Sequence, residues 1–173
     1  DLFIKEVARE MTQKAGQKCT AIRRVLVPQA LIEPVQSALE SRLAKVSVGD
    51  PREEGTRMGA LAGIAQRKDV AANVARLRAE SEVVLGGQEL DLGGALSNGA
   101  FYAPTLLRCD TPDSAEGVHS IEAFGPVATL MPYRDLDHAA TLANLGLGSL
   151  ALSIFSHDGL VVRALVGGTS FFH

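Results

Sequence analysis

Tryptophan is absent from this 173-residue sequence, and it has only two cysteines and four histidines. Cys19 and Cys109 form no Cys-x-x-Cys pair, and His119, His138, His157 and His173 are scattered without ligand spacing. No metal site is implied. No apolar run approaches the roughly 20 residues that span a bilayer. The opening Asp1-Leu2-Phe3-Ile4-Lys5 has neither the basic head nor the long apolar middle of a secretory leader. The charges nearly cancel: a net charge of −3 gives no reason to expect nucleic acid or a membrane surface as a partner. Unpaired thiols without a leader fit a reducing cytoplasm. Neither GxGxxG nor GxxxxGK[ST] occurs, so the glycine-rich stretch from Gly86 to Gly99 is read as a connecting loop, not a phosphate cradle.

What is present is an ordinary globular composition, 46% hydrophobic and 21% charged, enough for one real core. Leu2, Phe3, Val7 and Met11 mark one face of an opening helix, and Arg23 to Pro28 reads as a buried strand stopped by proline. Leu31, Val35, Leu39, Leu43 and Val46 recur at helical spacing, as do Ile64, Val70, Val74 and Leu77 within residues 64–80. Gly49-Asp50-Pro51 and the glycine-punctuated segment to Gly63 form a surface connection between them. Strands are expected at 82–85, 101–107, 127–133 and 150–155, and helices at 135–145 and 160–166. Strands separated by helices argue for an α/β fold, a mostly parallel sheet flanked by helices.

Cys19 follows a Gly-Gln turn in Lys14-Ala15-Gly16-Gln17-Lys18-Cys19, and between Glu10 and Glu33 there are Lys14, Lys18, Arg23 and Arg24 but no acid. A thiol reacts as its thiolate, which nearby positive charge stabilises, so Cys19 reads as a candidate nucleophile. The competing reading is a small buried hydrophobe, the usual role of a free cysteine. Cys109, at the end of Pro104-Thr105-Leu106-Leu107-Arg108, is read as packing.

Lys14 to Cys19, Asn98-Gly99 with Pro104-Thr105, Glu122-Ala123-Phe124-Gly125-Pro126-Val127, and Asn144 followed by Gly148 and Phe155 occur in one order. Together they resemble the catalytic domain of the aldehyde dehydrogenase superfamily over residues 1–158. The wording Lys-Ala-Gly-Gln-Lys-Cys-Thr-Ala-Ile-Arg-Arg is most similar to the branch that oxidises semialdehydes of CoA thioesters in aerobic aromatic degradation. That branch includes the bifunctional ring-opening enzyme of phenylacetate catabolism and 3,4-dehydroadipyl-CoA semialdehyde dehydrogenase.

The resemblance implies that Cys19 attacks an aldehyde and that the resulting adduct passes a hydride to NADP or NAD and is hydrolysed as a thioester. It implies that the Cys19 backbone N–H donates to the tetrahedral oxygen. Glu122 is then the carboxylate that binds the nicotinamide ribose hydroxyls, and Phe124 the aromatic bordering the nicotinamide end. Gly125 and Pro126 are read as shaping the turn. The complete protein is expected to be a homo-oligomer.

Two departures accompany the likeness. Glu6 and Glu10 are the only glutamates among the 18 residues before Cys19, and neither suits the family's general base. Gly167 to His173 closes the chain where the family continues. Residues 1–173 are therefore expected to be a catalytic-domain fragment, without the N-terminal dinucleotide-binding domain or the C-terminal oligomerisation element. The alternatives are a non-catalytic folded piece or truncated paralogue and, last, a thiol redox sensor built on Cys19.

Overall fold

The computed structural model describes residues 1–170; His173, with Phe171 and Phe172, lies outside the described residues. Helix α1 (Leu2–Thr12) leads to strand β1 (Arg24–Pro28) and helix α2 (Ile32–Leu43). Helix α3 (Ile64–Leu77), strands β2 (Glu82–Leu85) and β3 (Thr105–Arg108), and the single turn of α4 (Gly117–Ser120) follow. Strand β4 (Val127–Tyr133) and helices α5 (Leu136–Asn144) and α6 (Gly159–Gly168) complete the order.

One sheet runs β1-β4-β3-β2. Strand β4 is central and parallel to both β1 and β3, with Val25 opposite Leu130 and Leu106 opposite Ala128. Strand β2 joins antiparallel to β3, with a register shift between Val83 and Leu85. The sheet is thus mixed, with its parallel strands between two layers of helix.

Successive strand side chains point to opposite faces, and here both faces are buried. Val25, Val27, Leu106, Ala128 and Leu130 pack with Val7 and Met11 of α1 and Leu39 and Leu43 of α2. Leu107, Val127 and Met131 pack on the other face with Val70, Val74 and Leu77 of α3, Val118 of α4 and Tyr102. Burial on both faces explains why the parallel strands read as continuous apolar runs and not as alternating ones. Cys109 belongs to the second cluster, as its packing role requires, and burial pushes its thiol up from the ordinary range.

Side-chain caps set two helix starts. Asp135 Oδ1 accepts from the His138 N–H at 2.8 Å, and Asp158 Oδ1 from the Leu160 N–H at 2.8 Å.

Two expected strands change. The 101–107 segment pairs as a ladder only from Thr105, because Tyr102 is drawn aside into an isolated bridge with Glu89. Residues 150–155 form no strand: the segment passes the free edge of β1 without a ladder. Leu152 and Ile154 instead line a cavity of about 480 Å³ together with Leu26 and Val27 of β1. Apolar content alone does not make a strand, which also needs paired backbone groups.

Leu130 is fully buried at the sheet centre, whereas Leu147 is 76% exposed. Leu130→Ala is expected to destabilise the fold by about 2–5 kcal/mol in urea unfolding. Leu147→Ala should stay within about 0.5 kcal/mol of the parent; equal effects would contradict the placement of the core.

Candidate active site

The chain leaves α1 through a left-handed turn. Lys14 (φ 54°), Ala15 (φ 52°) and Gly16 (φ 72°) all have positive φ, a region that costs an ordinary L-residue about 1–2 kcal/mol. Burial of Ala15 holds the turn in place, and Gly16 presses on the loop before β4. A Cβ at Gly16 would stand 2.0 Å from the Gly125 carbonyl oxygen and 2.8 Å from Pro126 N, so only glycine fits. Gln17 ties the turn to a third segment: its Oε1 accepts from the Ala62 N–H at 2.9 Å, and its Nε2 donates to the Lys14 carbonyl at 3.2 Å. The Ala21 N–H donates to the Lys18 carbonyl at 3.1 Å, which leaves Cys19 exposed at the corner of a tight turn.

The carboxylate loop is held from α3 and from the residues just after it. Glu80, beyond the end of α3, accepts from the N–H groups of Glu116 and Val118 at the start of α4, both at 3.2 Å. The Ile121 N–H returns to the Gly117 carbonyl at 2.8 Å. Asn73 donates to the Glu122 carbonyl at 3.4 Å, and Gln66 to the Phe124 carbonyl at 3.0 Å. Phe124 itself has φ 50°, a strained conformation for an aromatic residue, kept by this grip. Gly125 closes the loop against Val70, whose Cγ2 would be 2.7 Å from a Cβ there. Gly125 and Pro126 thus shape the turn, as read from the sequence.

Cys19 and Glu122 line one cavity of about 140 Å³, together with Thr20, Arg23 and the Ser149–Ser153 segment. Residues far apart in the chain meet there. Phe124 is not part of that lining and is 42% exposed.

The basic neighbourhood of Cys19 is already committed to other partners. Lys18 Nζ bonds Glu10 at 2.6 Å and Gln13 at 3.1 Å, so an acid from α1 closes on the run that appears acid-free in sequence. Arg23 donates to the Leu147 carbonyl at 2.8 Å and to Ser149 Oγ at 2.9 Å. Arg24 donates to the carbonyls of Leu142 and Ala143 at the end of α5, at 2.6 and 2.8 Å. Burial, with Arg23 beside it, lowers the Arg24 guanidinium to about 10.

Arg24 Nη1 also stands 3.2 Å from His119 Nδ1, while His119 Nε2 is 2.9 Å from the Pro112 carbonyl. A guanidinium only donates and a carbonyl only accepts, so His119 is neutral, with the proton on Nε2. Burial is the main cause that pulls its pKa below the ordinary value, opposed by the Pro112 carbonyl and reinforced by Arg24. Sequence reasoning missed Arg24, His119 and the clamp role of Gly16; the Gly-Gln turn was visible, but its contact with Gly125 was not.

Two outcomes follow from this geometry. Gly93 has φ 70° and ψ 175° with open space around it, so Gly93→Ala should cost about 1–3 kcal/mol from backbone strain alone. Gly16→Ala should cost clearly more, because the Gly125–Pro126 backbone must also move; equal costs in urea unfolding would contradict the clamp. His119 sets the second. The unfolded imidazole takes a proton near pH 6.5 and the folded one only at lower pH, so stability is greatest above pH 6.5 and falls as pH drops towards the folded value. His119→Gln should flatten that part of the pH profile of unfolding.

Residues 1–167 match the aldehyde dehydrogenase family. The chain is 45% identical to a 3,4-dehydroadipyl-CoA semialdehyde dehydrogenase of Aromatoleum evansii, over all of this chain and 34% of that protein. It is 52% identical to protein MaoC of Klebsiella aerogenes over 67% of this chain and 34% of that one. A crystal structure of Staphylococcus aureus betaine aldehyde dehydrogenase in complex with NAD+ superposes with a TM-score of 0.86 at 27% identity, covering 98% of this chain and 33% of its own. The chain spans about one third of the length of these relatives. On the extent of these matches, this chain belongs to the aldehyde dehydrogenase family.

Proposed function

We propose that this chain is the catalytic part of an NAD- or NADP-dependent aldehyde dehydrogenase that oxidises a CoA-linked semialdehyde to the acid. The observation that carries the reading is the shared cavity of Cys19 and Glu122. It favours a catalytic role over that of a non-catalytic folded piece. The semialdehyde class is supported by the relative of 45% identity, which is named for such a substrate. In this reading residues 1–173 work with an N-terminal dinucleotide-binding domain and a C-terminal oligomerisation element in a cytoplasmic homo-oligomer.

Cys19 Sγ, exposed at the corner of its turn, adds as thiolate to the aldehyde carbon and makes a tetrahedral adduct. The backbone N–H of Cys19 donates to the oxygen of that adduct. Glu122, an exposed carboxylate on a fixed backbone facing the same cavity, takes hydrogen bonds from two vicinal ribose hydroxyls and so orients the sugar. Phe124, exposed two residues further along the same loop, would border the nicotinamide end. A nicotinamide held this way supplies the hydride acceptor that converts the adduct to a thioester. Water then cleaves the thioester and frees the Cys19 thiolate. Glu6 and Glu10 do not serve as the base for that step, since they pair with Arg9 and Lys18 at 2.6 Å.

Cys19→Ala in the full-length protein should lower aldehyde-dependent formation of reduced dinucleotide by at least about 10³-fold. Dinucleotide affinity, read by fluorescence titration, should stay within about twofold because Cys19 is not among its binding groups. Substantial remaining turnover would overturn the nucleophile assignment.

A further inference from the structure

We infer that His119 is a positioning residue for Glu122: anchored between Arg24 and the Pro112 carbonyl, it fixes the short helix from which the dinucleotide-binding loop departs. The inference rests on the reading of Glu122 given above.

Little in its own sequence holds α4 in place. It has four residues, too few to be stable on its own, and Glu122 is the second residue beyond it. Glu80 secures its first turn from the α3 side. On the β1 side His119, only 4% exposed, reaches into the protein and is bonded at both ring nitrogens. Arg24 is the fixed point of that arrangement. Its guanidinium is bound to the last carbonyls of α5, and a Cβ at Gly146 would stand 1.7 Å from Nη2, so it has no room to turn away. Arg24 also lies five residues after Cys19, on the strand that begins beyond the nucleophile turn. His119 thereby links the nucleophile strand to the carboxylate loop, and does so without touching substrate.

The link depends on the protonation state of the imidazole. The charged groups that bear on it are Arg24 of β1, Arg23 just before that strand and Glu80 beyond α3. A proton on Nδ1 would remove the acceptor for Arg24 and set two cations against each other, with Glu80 offsetting only part of that repulsion. Dinucleotide affinity should therefore weaken in acid.

The test is the dissociation constant for NAD+ and for NADP+ in the full-length protein, with kcat at saturating dinucleotide measured in parallel. His119→Ala should weaken binding about 5- to 20-fold while kcat changes no more than about threefold. His119→Asn keeps an acceptor near the Nδ1 position and should recover most of the affinity without its acid dependence. His119→Gln keeps the Pro112 bond but loses the Arg24 acceptor, and should resemble the alanine variant. A general loss of folding would not separate Asn from Gln in this way.

Glu122→Gln and the double variant complete the cycle. If His119 acts through Glu122, His119→Ala has little further effect once Glu122 is Gln. An undiminished effect in that background overturns the inference. If Glu122→Gln weakens binding and His119→Ala does not, the inference alone fails. If Glu122→Gln leaves both dissociation constants unchanged, the reading of Glu122 fails and takes the inference with it.

Discussion

Gly16 rests on the Gly125 carbonyl at a separation that excludes even a methyl group, and the site depends on this contact. One side carries Cys19, the proposed nucleophile, three residues later; the other carries Glu122 three residues earlier. Two loops more than a hundred residues apart are thus registered against each other by backbone, the least adjustable part of a protein. The positive φ values at Lys14, Ala15 and Phe124 are the local cost of bringing the two backbones together. Such strain persists only where the surroundings over-determine it, and here buried Ala15, Gln17, Gln66 and Val70 do so.

The sheet explains why both loops arrive at the same end. Strand β1 begins just after the nucleophile turn and β4 just after the carboxylate loop, and they pair in parallel as neighbours. Parallel neighbours bring the segments before their first residues to one edge. The helices then act on either side of that edge. Helix α3 supplies Asn73 and Gln66 to the carboxylate loop. The end of α5 receives Arg24, and the turn after it receives Arg23. Site geometry is therefore a direct product of core packing.

Most of the fold was legible because its signals are periodic. Helices α1, α2, α3 and α5 repeat apolar residues at helical spacing, and the central strand is an apolar run. Residues 150–155 carry the same apolar signal and yet stay unpaired beside β1, since pairing depends on a neighbour's position and not on composition. Cys19 was legible as chemistry from its basic sequence neighbourhood and Glu122 through the resemblance, and the two line one cavity. Phe124 too was legible by resemblance only; it is exposed and does not line that cavity. Arg24 and His119 were not legible in these roles. An arginine counted as local positive charge is instead committed to carbonyls more than a hundred residues away, which no local reading can anticipate.

Nucleophile and dinucleotide are proposed to share one site. The most direct measurement is the rate of iodoacetamide alkylation at Cys19, resolved by mass spectrometry, as NAD+ or NADP+ is titrated into the full-length protein. A dinucleotide seated on Glu122 shields the thiol, so the rate at Cys19 should fall saturably, at the concentration where binding saturates, while the rate at buried Cys109 stays unchanged. A Cys19 rate indifferent to saturating dinucleotide would contradict the account.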